Sequence, residues 1–177
     1  MRSGARACDE RLLRIARTWG HDPRAERAVA AFSRLGEHAA VWLALGAAGS
    51  LLDRRRRRAW RRATAGVATT YVLNTAIKLV VRRPRPRLAG LPPLTETPTE
   101  LSFPSAHTST AVAATLLYSR LGVPAFPMLE LGAALAYSRI YLGVHYPSDL
   151  LGGAALGAAL GLALRAPRSE CAKDARP

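Results

Sequence analysis

Seven arginines crowd into nine positions, Arg54 to Arg58 with Arg61 and Arg62, and an apolar run stands on each side of them. Residues 39–52 before the block carry no charge, and residues 63–81 after it carry only Lys78, near their end. So dense a charge block cannot enter hydrocarbon, while the runs beside it have the composition of membrane helices. Inside lipid every backbone N–H and C=O must be satisfied within the segment or a closed barrel, so such runs are read as helices. Short cytoplasmic loops collect Lys and Arg, which places this block in the cytoplasm. A nucleic-acid patch is the competing explanation of so many arginines.

The rest of the chain argues against nucleic acid. The 177 residues suffice for one domain, and the net charge of +14 comes mostly from arginines that flank apolar runs. A basic balance of that kind fits an anionic membrane surface. No RNA-binding aromatic motif or zinc spacing is present. Cys8 and Cys171 lie near opposite ends and form neither a metal spacing nor a disulfide framework. Met1 to Arg17 lack a long apolar core and a small-residue cleavage site, so no cleavable signal peptide is expected.

Taken in order, residues 1–37 form an arm. Leu12, Leu13, Ile15, Trp19, Val29 and Phe32 recur among arginines, as in an amphipathic helix lying on a membrane or packing on the bundle. A domain at 38–166 follows, then a mobile basic tail at 167–177. Five spans are expected in the domain, at 39–52, 63–81, 104–122, 125–143 and 149–165. Fourteen residues is short for the first of these, since a span needs about 20. Within 63–81, Thr70, Asn74 and Lys78 fall on one helix face, which in lipid must point inward. The prolines of loop 82–103 forbid a regular element there. Gly153, Gly157 and Gly161 repeat every four residues in the last span. Such a stripe lets a neighbouring helix come close, either within the bundle or across an oligomer interface.

With the arginine block inside, alternation of the spans carries Lys78, Arg85, His107, Arg139, His145 and Asp149 to one outer face. Glu37 and His38, before the first span, fall there too. An imidazole beside a carboxylate can attack as a nucleophile, its Nδ1 proton directed to the carboxylate and its Nε2 lone pair free. Arginine offers a planar fork of donors suited to phosphate. Pro147 suits a first helical turn and would put Asp149 in it, with His145 just before. Pro104 suggests another helix start, leaving N–H groups near Ser105 and Ala106 for an anion. A polar loop that merely caps two helices is the plainer reading.

Three motifs stand in order: Lys78-x6-Arg85-Pro86, Pro104-Ser105-Ala106-His107, and Ser138-Arg139-x5-His145-x3-Asp149. Together they resemble the signature of the type 2 phosphatidic acid phosphatase (PAP2) superfamily, over residues 63–165. The resemblance implies an all-α integral membrane bundle of PAP2 type, here with five spans plus the amphipathic arm, in the plasma membrane with its site outward. It implies His145 as nucleophile forming a phosphohistidine, Asp149 orienting it, and His107 as general acid and then base. Lys78, Arg85 and Arg139, with the N–H groups around Ser105 and Ala106, would hold the phosphoryl oxygens. No metal and no cofactor are implied. Ala106 stands where the family usually has glycine, which is acceptable if the residue is helical.

The short length, the segment Phe32 to His38 before Trp42, and the arginine block look like a small subgroup of that superfamily. Its members remove the 5-phosphate of a polyprenylphosphoryl-phosphoribose on the way to cell-wall arabinan. Polyprenyl diphosphate and phosphatidylglycerophosphate or phosphatidate are the competing lipid substrates. A catalytically silent membrane binding module is the non-enzyme reading, and a vanadate haloperoxidase goes with larger soluble chains. Two roles are open to Glu37 and His38: substrate contact, or capping the helix. Partners are the lipid substrate and membrane lipids, not nucleic acid.

Overall fold

Helix α5, Ala106–Tyr118, is buried almost all round. A helix without a solvent face is the centre of a bundle. Around it stand α3 (Ala40–Leu52), α4 (Arg57–Val81), α6 (Ala125–Tyr141) and α7 (Pro147–Ala163). Two earlier helices, α1 (Arg2–Thr18) and α2 (Pro23–Ser33), pack against α6, and α1 also against α7. The computed structural model describes residues 2–165. The tail expected at 167–177 lies outside them. Among the described residues every named element is helical, with isolated β-bridges only at Pro84–Leu101 and Leu88–Leu91.

Local chemistry sets the ends. Asp22 caps α2 by accepting from the N–H groups of Arg24 (2.8 Å) and Ala25 (3.0 Å), with Pro23 in the first turn. Arg82 closes α4 in the left-handed region, φ 51°. Gly143, φ +75°, turns the chain out of α6, a conformation glycine adopts at no steric cost.

Polarity is inverted relative to a protein in water. Leu52 (85% exposed), Val80 (82%) and Leu151 (73%) face outward, whereas Thr70, Asn74, Arg139 and Asp149 are buried. So many large apolar side chains turned outward ask for a membrane or a partner. Among the described residues two helical stretches, Pro23–Leu52 and Arg57–Val81, are long and apolar enough to cross a bilayer, and α7 is apolar but shorter. The first of these includes α2, so α3 does not stand alone as the short 39–52 run suggested. A 3₁₀ segment, Arg34–Ala39, joins the two with non-helical backbone at Glu37 and His38. The arm is packed on the bundle rather than held apart from it.

The glycine stripe settles against α5. A Cβ on Gly153 would meet the Ser105 carbonyl oxygen at 2.5 Å, one on Gly157 would overlap that of Ser109, and one on Gly161 would meet Leu116 Cδ1 at 2.9 Å. All three glycines are buried. The stripe expected to serve either the bundle or an oligomer therefore serves the bundle, and its surface is not open to a second copy. On this basis Gly157→Ala pushes a methyl group into the α5 backbone. The expected cost is about 1–3 kcal/mol, read as a lower midpoint of thermal unfolding in detergent. An unchanged midpoint would show that α5 and α7 separate freely.

Candidate active site

Histidine-bearing and cation-bearing segments converge where α4 and α6 end and α5 and α7 begin. A cavity of about 80 Å³ is lined by Lys78, Arg85, His107, Arg139 and His145, with Ala106, Glu37, His38, Tyr71, Thr75, Pro98 and Thr99. Asp149 lies behind His145 and is fully buried. These residues come from separate segments of the sequence, and the fold places them together. A wider groove of about 750 Å³ next to it runs from Arg85 over Thr95 to Gly143. Of the motif residues it holds only Arg85 and Pro86, and neither histidine, so the smaller cavity is the candidate for chemistry.

His145 sits on the linker between α6 and α7, fixed by the buried side chains of Leu142 and Val144 and by the Leu94 N–H, which donates to the Leu142 carbonyl (2.9 Å). Its Nδ1 is 3.4 Å from Asp149 Oδ2, close but without hydrogen-bond alignment. Its Nε2 is 3.2 Å from Arg85 Nη1, and since a guanidinium only donates, Nε2 is the acceptor nitrogen. Burial, then the charges of Arg85, Lys78 and Arg139, hold the imidazole neutral well below the ordinary histidine range. Asp149 is the third residue of α7, where its Oδ2 accepts from the Tyr146 N–H (2.8 Å). Its Oδ1 accepts from Arg83 Nη1 (2.7 Å).

The cations are held by carbonyls and hydroxyls. Lys78 Nζ donates to the Ser102 carbonyl (3.0 Å), Arg85 Nε to that of Thr99 (2.7 Å) and Arg85 Nη1 to that of Val144 (2.7 Å). Burial pulls the Arg85 guanidinium down to about 10, against the pull of Asp149 and Glu100, which leaves it charged at neutral pH. Arg139 Nη1 donates to Ser33 Oγ (2.8 Å), while its Nε is buried without a partner among the described residues. Among the described residues no carboxylate contacts these three cations directly, so an anion is the natural complement.

Ser33 is a residue that sequence analysis missed. Its hydroxyl holds Arg139 and its carbonyl accepts from His107 Nε2 (3.0 Å). Gly36 lets this turn of the arm lie on the His107 ring, where a Cβ would overlap Cδ2. Neither is a motif residue, and the only signal was their place just before Glu37 and His38. His38 and Ala39 take φ 51° and 60°, rare for residues with a Cβ. That kink brings Glu37 and His38 to the cavity wall, where His38 Nδ1 is 2.7 Å from the Tyr71 hydroxyl. Capping of α3 by either side chain is not seen.

Two expectations change. Ser105 stands at the N-cap position of α5 without a capping bond from its side chain, and its N–H already donates to the Asp149 carbonyl (2.9 Å). The donors left for an anion are those of Ala106 onward in the first turn, which have no intrahelical carbonyl. Ala106 is helical, so its methyl group is accommodated. The inward stripe on α4 splits in role. Asn74 Nδ2 donates to the Pro104 carbonyl (3.3 Å) and Ser109 Oγ (3.1 Å), and Thr70 bonds back to Gly66. Asn74 thus holds α5, Thr70 bonds back within α4, and of the stripe only Lys78 reaches the cavity, beside Tyr71 and Thr75.

Known proteins resemble this chain in sequence and in fold. The profile of the PAP2 superfamily matches residues 59–167. A decaprenylphosphoryl-5-phosphoribose phosphatase of Mycolicibacterium smegmatis is 47% identical over 124 residues, covering 70% of this chain and 68% of that protein. One of Mycobacterium tuberculosis is 45% identical over 130 residues, covering 73% and 72%. The crystal structure of a transmembrane PAP2-type phosphatidylglycerolphosphate phosphatase from Bacillus subtilis superposes with a TM-score of 0.76. It covers 91% of this chain and 84% of that one at 23% identity, a likeness of fold.

The contact of the arm with His107 yields a test. Gly36→Ala should force the 3₁₀ segment off the imidazole ring, at about 1–3 kcal/mol of stability. The loss is measured as a lower unfolding midpoint, and the same variant should expose the 34–39 segment to limited proteolysis. Wild-type values in both assays would mean that the arm does not rest on His107.

Proposed function

The chain belongs to the PAP2 superfamily, and we propose that it is a metal-independent lipid phosphate phosphatase working through a phosphohistidine on His145. Its class is phosphoric monoester hydrolase. The observation that carries the mechanism is the neutral His145 whose acceptor Nε2 lies against Arg85 in a cavity lined by Lys78, Arg139 and His107. In the proposed cycle Nε2 attacks phosphorus, the P–O bond to the leaving group breaks, and the leaving oxygen takes a proton from His107. With His107 Nε2 held by the Ser33 carbonyl, Nδ1 is the nitrogen left to exchange that proton. Arg85 moves from Nε2 to a phosphoryl oxygen and joins Lys78, Arg139 and the Ala106 N–H. Water, with His107 as base, then cleaves the P–N bond and releases phosphate. The three cations supply the charge stabilisation that a divalent ion supplies elsewhere, and they repel such an ion.

For the substrate we propose a polyprenylphosphoryl-phosphoribose, losing its 5-phosphate in the making of an arabinan precursor. Support comes from two relatives that carry that activity in their names and match most of this chain. Glu37, and His38 paired with Tyr71, add acceptors and donors at the cavity wall, where they would bond the hydroxyls of a pentose. An undecaprenyl-diphosphatase and a phosphatidylglycerophosphatase of Bacillus subtilis match shorter stretches, which keeps a polyprenyl diphosphate or a phosphatidylglycerophosphate as the second reading.

Five membrane spans in the plasma membrane, with the cavity on the extracytoplasmic side, complete the proposal. The inverted polarity of the bundle and the arginine block at 54–62 support it. A cysteine at Thr97, with Cys8 and Cys171 replaced, should react with an impermeant thiol reagent in intact cells. Labelling only after lysis would put the site on the cytoplasmic side.

Phosphate release from a panel of lipid phosphates tests the activity. The wild type should work in excess EDTA, be inhibited by vanadate, and prefer the phosphoribosyl lipid. His145→Ala should lose several orders of magnitude in rate while still folding. Dependence on added Mg²⁺, or a few per cent of activity left in His145→Ala, would overturn the mechanism.

A further inference from the structure

Among the described side chains of α1, three form its buried face: Asp9, Leu13 and Arg17, at 6%, 0% and 5% exposure. They recur every four residues, so they share one side of the helix. Leu13 suits that side, but a charged group is buried only against partners. Those partners lie at the two ends of the linker that carries His145. At one end Arg17 Nη1 donates to the Tyr141 carbonyl (3.2 Å) and Nη2 to that of Pro92 (2.8 Å). The same guanidinium lies over Gly143, where a Cβ would meet Nε at 2.9 Å. At the other end Asp9 Oδ1 accepts from the Ser148 N–H (3.0 Å), and Oδ2 accepts from the Ser148 hydroxyl and from Arg83 Nη2 (2.8 Å).

Arg83 connects the arm to the site. Its Nη1 donates to Ser148 Oγ and to Asp149 Oδ1, both at 2.7 Å, and its guanidinium carbon stands 4.2 Å from the Tyr146 ring centroid. It is shared between two carboxylates and does not line the cavity. That separates it from Lys78, Arg85 and Arg139, which face the cavity. Burial pushes the Asp9 carboxyl up, but the bonds from Ser148 and Arg83 outweigh this and hold it below the ordinary range. Asp9 is thus a charged acceptor at neutral pH.

We infer that Asp9 and Arg83 are positioning residues for the reaction, with Asp9 fixing Arg83, and Arg83 fixing the Asp149 carboxylate so that its other oxygen faces His145 Nδ1. The inference rests on the proposed role of His145 as nucleophile. Asp149 Oδ2 lies 2.8 Å from the Tyr146 nitrogen and 3.4 Å from Nδ1. A carboxylate held at one oxygen can still turn about its Cβ–Cγ bond. The Arg83 bond at Oδ1 removes that freedom, and a planar fork spanning two acceptors does so in a way that lysine cannot. The N-terminal helix thereby becomes part of the catalytic apparatus.

The test compares full-length wild type with Asp9→Asn and Arg83→Lys in detergent, using Glu10→Gln, an exposed neighbour on α1, as control. Rates are normalised to folded enzyme by thermal-shift amplitude. Displacing the dyad should lower kcat roughly 10- to 100-fold, with KM within about twofold because the phosphate-holding cations are intact. Glu10→Gln should match wild type. A second readout needs no turnover. The ¹⁵N spectrum of histidine-labelled protein, with His145→Asn for assignment, should show the Nδ1–H tautomer for His145 in wild type. Asp9→Asn and Arg83→Lys should show a mixture with the Nε2–H form. Wild-type kcat and an unaltered tautomer in both variants would overturn the positioning role, as would a rate loss confined to KM. A wild type that releases phosphate from no lipid overturns the proposed function instead, and the tautomer comparison then decides the present inference alone.

Discussion

Charge buried inside a bundle with an apolar exterior is the constraint on which the rest depends. Lys78, Arg139, His145 and Asp149 are each at most 7% exposed, and no outside solvent is at hand to satisfy them. Each must therefore find its partners in the chain. Those partners come from the long loop and the arm: the Ser102 carbonyl for Lys78, the Ser33 hydroxyl at the end of α2 for Arg139, Arg85 for His145, and Arg83 for Asp149. The proline-rich loop and the arm thus form one polar scaffold about the cavity. Removing any one partner leaves a buried charge uncompensated, which costs far more than a surface hydrogen bond is worth.

Small residues make that scaffold reachable. Close approach of α7 to α5 along Gly153, Gly157 and Gly161 brings Asp149, at the start of α7, against Ser105, at the start of α5. The bond from the Ser105 N–H to the Asp149 carbonyl ties the two helix starts together at 2.9 Å. Gly36 does the same for the arm over His107. The fold positions its polar groups through contacts that require the absence of a side chain.

The motif residues were legible in the sequence because their chemistry is written in residue type and order. Lysine, arginine and histidine at helix ends beside apolar runs have few other reasons to be there. Ser33, Gly36, Asp9 and Arg83 were not legible by that route. Serine before a 3₁₀ turn is ordinary, and Arg83 was one basic residue among Arg82, Arg85 and Arg87. The stripe Thr70–Asn74–Lys78 points inward as its spacing implied, but only Lys78 lines the cavity, while Asn74 holds helix α5 and Thr70 bonds back within α4. Spacing tells which side of a helix a residue is on. It does not tell which neighbour stands there.

By itself the sequence determined that the chain is helical, where its apolar helices run, and which charged residues stand at their ends. Those properties follow from local period and composition. Only the tertiary structure decided that α1 brackets the His145 linker, that the Ser105 N–H is engaged, and that the glycine stripe faces α5. Each of these is a pairing between residues far apart in the chain. Hydrogen bonds and close packing depend on distances of a few tenths of an ångström, which residue order does not specify.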